Sequence, residues 1–238
     1  MAARSRQLSL ALRPHPRWGG ARDGAGRKPG TRLATRHGRR ERFGRALPLH
    51  VTLRMRADVP SLRTVPIVHE IARTFARGCS RPGFRLVHYS LQGNHAHLVV
   101  EAHDQDALGC GMKAIGARLA RAVNRVARRT GPVLAERYHH HRLSSPREVR
   151  NALRYVLLNA RHHAGAAHAT LKRQLRERFD PASSARWFDG WKIGTRTEPS
   201  APESAASRES PPVAQARTWL LTTGWRRYGL LDPNDIRG

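Results

Sequence analysis

The stretch "FRLVHYSLQGNHAHLVVEA", residues 84 to 102, decides the fold. Two apolar-rich runs, "FRLVHYSL" and "HAHLVVEA", flank the short polar turn "QGN", which is a β-hairpin signal. Successive strand side chains face opposite ways, so His95 and His97 point to one side and Ala96 to the other. Upstream, "LHVTLRM" (49 to 55) alternates as a half-buried strand, with Val51, Leu53 and Met55 on one face and His50, Thr52 and Arg54 on the other. Residues 62 to 78 follow as a helix carrying Ile67, Ile71 and Phe75. Downstream, a helix from Asp104 to Arg129 sets Leu108, Met112, Ile115, Leu119, Val123 and Val126 on one stripe. A last short strand, "ERYHHHRL", comes after the break at Gly131 and Pro132. The order strand, helix, strand, strand, helix, strand predicts an α+β fold of the ferredoxin-like (RRM-like) split βαβ type. That is a four-stranded antiparallel sheet with two backing helices.

One more helix is expected after the sheet, starting at "SSPRE". Ser145 can cap it, Pro146 suits the first helical position, and Glu148 completes a capping box. Val149, Ala152, Leu153, Val156, Leu157 and Ala160 account for its whole buried stripe. Tyr155 and Asn159 lie four residues apart at the edge of that stripe, and the core needs neither. His162 falls roughly on the same face.

Charge narrows the class of partner. The chain has 238 residues, with 44 Lys and Arg against 17 Asp and Glu, for a net charge of +27. An excess of that size favours a polyanion, and nucleic acid leads because neutralising phosphates releases counterions. Most of the basic residues are arginine, which suits bidentate phosphate contacts. The two cysteines, Cys79 and Cys110, form no CxxC, exclude a thiolate zinc knuckle and point to a reducing compartment. No stretch approaches the roughly 18 apolar residues of a membrane span.

Residues 1 to 48 hold 13 Lys or Arg and two acids among many glycines, and are expected to form a disordered basic arm. Its Arg-rich opening also has the composition of an organellar transit peptide. A catalytic domain is expected over 49 to 165. Residues 166 to 238 follow as a less regular tail, with a linker at 195 to 217 and a short docking element at 218 to 232.

A His-x-His on a strand is, by itself, more often a polar sheet face than a metal site. With a third partner, two neutral imidazoles and an Asn amide oxygen make a workable open site for Mg²⁺ or Mn²⁺, completed by substrate phosphate oxygens. Such a cation polarises a scissile phosphate, and a held tyrosine hydroxyl can attack it in line. On the helix of residues 104 to 129, Arg118, Arg121, Arg125, Arg128 and Arg129 share a flank without interleaved acids, expected to form a phosphate-binding groove. Arg137, Arg142, Arg154 and Arg161 extend it. His139, His140 and His141 alternate along a strand, so at most two share a site. Trp219, Trp225 and Tyr228, near Arg226 and Arg227, either stack on bases or pack against the domain.

"GNHAHLVVEA" resembles the His-hydrophobic-His strand of the HUH single-stranded DNA nucleases. "RYHHHRLSSPREVRNALRYVLLNARHHAG" is similar to the nucleophile-bearing segment of REP-associated tyrosine transposases and related single-tyrosine insertion-sequence transposases. The likeness spans roughly residues 48 to 165. It implies the ferredoxin-like fold, with Tyr155 as nucleophile and His95, His97 and Asn159 as ligands of Mg²⁺ or Mn²⁺. Two residues depart from the family pattern: Ala96 is small, and "NARHH" stands where the family has "NPV", so a proline is missing just after Asn159.

The expectation is therefore a DNA transposase of the single-tyrosine HUH type, forming a 5′-phosphotyrosine intermediate on single-stranded or hairpin DNA. Arg118, Arg121, Arg125, Arg128, Arg137, Arg142 and Arg154 would contact the DNA. A bacterial cytoplasmic, nucleoid-associated location goes with it, and a homodimer is left open. The alternative is a domesticated nucleic-acid-binding protein on the same fold without catalysis. A hydrolase of small phosphoesters has no carboxylate near the His pair to support it.

Overall fold

The computed structural model describes residues 43–163, 179–192 and 210–233, all within the compact unit Arg40–Gly238. Its elements run in the order β1 (Leu47–Arg54), α1 (Val65–Ala76), β2 (Ser80–Arg81), β3 (Phe84–Leu91), β4 (His95–Ala102), α2 (Gln105–Val126), β5 (His139–Arg142) and α3 (Pro146–His163). The expected basic arm lies outside the described residues as far as residue 42.

The hairpin forms where the sequence places it, with β3 antiparallel to β4. β1 then pairs with both β4 and β5, giving the order β2-β3-β4-β1-β5. The sheet is antiparallel and α+β as expected, but it has five strands, not four. The addition is the two-residue β2, paired with the start of β3. A two-residue strand is too short to show period-2 alternation, so nothing in the sequence marks it. Helix α2 stops at Val126, short of the expected Arg129. Arg128 takes a left-handed backbone conformation (φ 49°), which closes a helix rather than continuing it.

Helices α1 and α2 cover one face of the sheet. Leu49, Val51, Leu53, Leu98 and Val100 from the strands pack there against Ile71, Phe75, Ile115 and Leu119. The approach is close: a Cβ on Gly111 of α2 would sit 2.1 Å from the Phe84 ring, so only glycine fits.

The other face is covered as well. Val87 and Val99 meet Leu143, Val149, Leu153, Val156 and Leu157 around α3, together with Phe188, Leu221, Trp225 and Leu231 from the tail. A register shift between Leu86 and His88 makes a bulge in β3. Bulges re-aim side chains, and here Val87 and the adjacent His88 both reach this second layer.

The tail segments are held to the sheet by buried polar contacts. The Glu101 carboxylate accepts from the backbone N–H of Arg217 (2.9 Å) and Thr218 (2.7 Å) and from the Thr218 hydroxyl (2.7 Å). Asp180 pairs with Arg63 at 2.8 Å and 3.0 Å. Beyond Glu101, a short helix α4 (Trp219–Thr222) and a 3₁₀ turn (Gly224–Tyr228) bury Trp225. Trp219 and Tyr228 remain exposed. Of the expected linker at 195 to 217, residues up to 209 lie outside the described residues.

Candidate active site

The capping box on α3 forms as the sequence predicts. Glu148 N–H donates to Ser145 Oγ (3.2 Å), and Glu148 Oε2 accepts from the N–H groups of Ser144 (2.6 Å) and Ser145 (3.2 Å). Those donors hold the Glu148 carboxyl below its ordinary range. With its start fixed, α3 turns Val149, Ala152, Leu153, Val156 and Leu157 into the core. Tyr155, on the adjoining edge, is carried over the histidine strand. The side chain of His162, also on that edge by spacing, is outside the described residues.

Residues of β4 alternate between the layers: Ala96, Leu98 and Val100 face α1 and α2, while His97 and Val99 face α3. The Tyr155 hydroxyl lies 3.2 Å from His97 Nε2, with the rings edge to face at 4.9 Å. The His95 and His97 rings also meet edge to face, 4.7 Å apart. His95 Nδ1 sits 2.8 Å from Asn94 Oδ1, an acceptor that assigns the proton to that nitrogen.

Asn159 is one turn beyond Tyr155 and fully buried, and neither its Oδ1 nor its Nδ2 has a hydrogen-bond partner. A buried primary amide left unsatisfied costs about 1–3 kcal/mol, so its retention one turn from Tyr155 needs a reason.

Two residues of the cluster did not enter the sequence-based candidate site. His50 Nε2 lies 3.2 Å from His97 Nδ1, and Thr52 Oγ1 lies 3.3 Å from the same atom. The His50 ring also stands edge-on to Tyr155, 5.7 Å away. Burial, and after it the electrostatic interaction with His141, lowers the His50 pKa to about 4, so it is neutral near pH 7. The signal for both residues was present in "LHVTLRM", whose alternation puts them on the polar face. What was missing was the pairing of β1 with β4, which sets Thr52 opposite His97.

Two imidazoles and an amide are the groups here that could hold a divalent cation. Among the described residues no three His, Cys, Asp or Glu side chains group as a metal cage. A cation between His95 and His97 therefore needs oxygen donors, and the unpartnered amide of Asn159 is a protein group of that kind. The hydrogen bond from His95 to Asn94 is the sort of outer contact that orients ligating imidazoles.

The structure does not bring every predicted site residue together. Arg118, Arg121, Arg125 and Arg128 belong to α2 and its C-terminal end, in the layer across the sheet from Tyr155. Arg118 donates to the Thr74 carbonyl (3.3 Å), Arg125 pairs with Glu70, and Arg129 pairs with Asp58 (3.0 Å). The flank lacks acids along α2 itself, but α1 and the loop before it supply them. Arg121, Arg128 and Arg137 are exposed. Arg154 precedes Tyr155 on α3. Arg142, on β5, lines a cavity of about 860 Å³ with Phe43, Arg45, His140, His141 and Ser144.

No protein-family model matches the chain, and no curated protein matches it. Among solved structures, one described as the REP associates tyrosine transposase bound to a REP hairpin is similar. It is 15% identical, with a TM-score of 0.44, over 56% of this chain and 77% of its own. At that similarity the reading of function rests on the site's own geometry.

Proposed function

We propose that the protein is a single-tyrosine DNA strand-transfer enzyme of the transposase type, acting on single-stranded or hairpin DNA. One observation carries the reading: the Tyr155 hydroxyl is held on His97 Nε2 while Asn159, one turn along the same helix, is buried without a partner. A tyrosine that served only to cover the sheet would not need a buried amide left unsatisfied beside it.

His95, His97 and Asn159 would hold Mg²⁺ or Mn²⁺. When bound, that cation supplies Lewis-acid polarisation of the scissile phosphate. Tyr155 touches the same nitrogen by which His97 would ligate, so a cation taking that lone pair would displace the hydrogen bond and have the nucleophile beside it. The phenolic oxygen forms a bond to phosphorus and the bond from phosphorus to the 3′ oxygen breaks. The phenolic proton is lost to solvent, and the leaving 3′ oxygen takes one up. The products are a 5′-phosphotyrosine link and a free 3′-OH, and reversal by another 3′-OH rejoins the strand. Tyrosine is a slow nucleophile by itself, so positioning by α3 has to supply much of the acceleration. The net charge of +27 suits a long polyanionic substrate.

The test is incubation of the full chain with hairpin-flanked single-stranded DNA and Mn²⁺, followed by denaturing gels. A covalent adduct that disappears in Tyr155→Phe is expected. An adduct that survives Tyr155→Phe excludes the assignment.

A further inference from the structure

We infer that His50 is a positioning residue that, with Thr52, sets the tautomer of His97 so that the Nε2 lone pair faces Tyr155. The inference rests on the proposed reading for its purpose, but its geometry stands without it.

A neutral imidazole donates from one ring nitrogen and accepts at the other. His97 is 6% exposed, so both of its nitrogens have to find partners within the protein. Its Nε2 meets the Tyr155 hydroxyl at 3.2 Å. A phenol is a stronger donor than acceptor, and an imidazole lone pair is the better acceptor, so Tyr155 donates and Nε2 accepts. The proton of His97 then sits on Nδ1. That proton has two acceptors in reach, His50 Nε2 at 3.2 Å and Thr52 Oγ1 at 3.3 Å.

The two acceptors are not equivalent. A hydroxyl turns and donates as readily as it accepts, so Thr52 alone leaves the tautomer of His97 open. With its own proton on Nδ1, a His50 ring presents the Nε2 lone pair to His97 and accepts only; its backbone stands opposite Val99 of β4 and His141 of β5. His50 is thus built to outer-contact specification, touching neither substrate nor cation but fixing the ring that does. The opposite tautomer would put a proton on Nε2, leaving His97 unable to ligate through that atom and Tyr155 an acceptor.

The experiment is ¹⁵N–¹H NMR of the imidazole nitrogens in the full-length, metal-free protein, with titration of Mn²⁺ alone as a second readout. The wild type is expected to show His97 protonated at Nδ1 with an unprotonated Nε2. In His50→Ala that tautomer becomes mixed and Mn²⁺ affinity falls by roughly tenfold or more, the scale seen when outer contacts to ligands are removed. His50→Gln, which offers a carbonyl acceptor, restores both in large part. A wild-type His97 protonated at Nε2 overturns the inference outright, with no variant needed. So does an unchanged His97 tautomer in a folded His50→Ala protein. A covalent-adduct assay that fails while the wild-type tautomer is as stated removes the strand-transfer reading but leaves the role of His50 in place.

Discussion

Asn159 is the residue whose chemistry is least explained by folding. Replacing a buried, unpartnered polar side chain by an apolar one of similar size is neutral or stabilising, because no hydrogen bond is lost and a desolvation cost is removed. Asn159→Leu is therefore expected to keep or raise the melting temperature while abolishing Mn²⁺ binding and DNA cleavage. A fall of several degrees in melting temperature would show that the amide is structural. Tyr155 is 40% exposed and makes one hydrogen bond in the site. Tyr155→Phe should cost less than about 1 kcal/mol of stability by denaturant melt, so lost activity in that variant reports on chemistry.

At the scale of elements, one buried carboxylate helps to tie the tail to the sheet. Glu101 is 2% exposed and accepts from two backbone N–H groups and a hydroxyl, at positions 217 and 218. Glu101→Ala leaves those donors unpaired and should destabilise by about 2–4 kcal/mol, with hydrogen exchange accelerating first over residues 217–228. The α2 flank makes a contrasting case. Because Arg125 is engaged with Glu70 of α1, Arg125→Ala should change DNA affinity less than Arg121→Ala, an exposed arginine of the same helix, measured side by side by fluorescence anisotropy.

These elements also show what a sequence can and cannot reveal. The hairpin, the β1 alternation and the capped α3 were legible because each is a local pattern: period two, period 3.6, and a three-residue cap. The position of Tyr155 beside the α3 stripe follows from the helical period, whereas Leu158 and Asn159 are buried outside the stripe that the period marks. His50 and Thr52 were not legible as site residues, since their role depends on which strands become neighbours, and strand pairing is non-local. The partners of Arg118, Arg125 and Arg129 are a carbonyl, a carboxylate of another helix and a loop carboxylate, none of which a charge pattern read along α2 alone can show. Glu101 looked like an ordinary strand carboxylate because its partners are more than a hundred positions away.

For the whole molecule, the buried His88 and the half-buried His50 set the response to acid. His88, packed beside Ser184 and Phe188, has its pKa lowered to about 3 by burial, and His50 has its pKa lowered to about 4. Both stay neutral in the fold, whereas in the unfolded chain they protonate near 6.5, the ordinary histidine value. Stability is therefore full above about pH 6.5 and falls as the pH drops toward 4, by about 1.4 kcal/mol per unit for each group once well below 6.5. Chemical denaturation at pH 7, 6, 5 and 4.5 should show that decline, and His88→Gln should make it shallower. The net charge of +27 acts on binding in a separate way. Affinity for single-stranded DNA should fall steeply and linearly on a log–log plot against salt, whatever the DNA sequence.

The central claim is that Tyr155 becomes covalently joined to DNA, and mass spectrometry tests it most directly. After reaction with hairpin-containing single-stranded DNA and Mn²⁺, nuclease and protease digestion should yield a peptide carrying a nucleotide phosphate on Tyr155. The same peptide should be unmodified without metal. A nucleotide found on any other residue, or no adduct under conditions where the intact protein binds the DNA, would contradict the account.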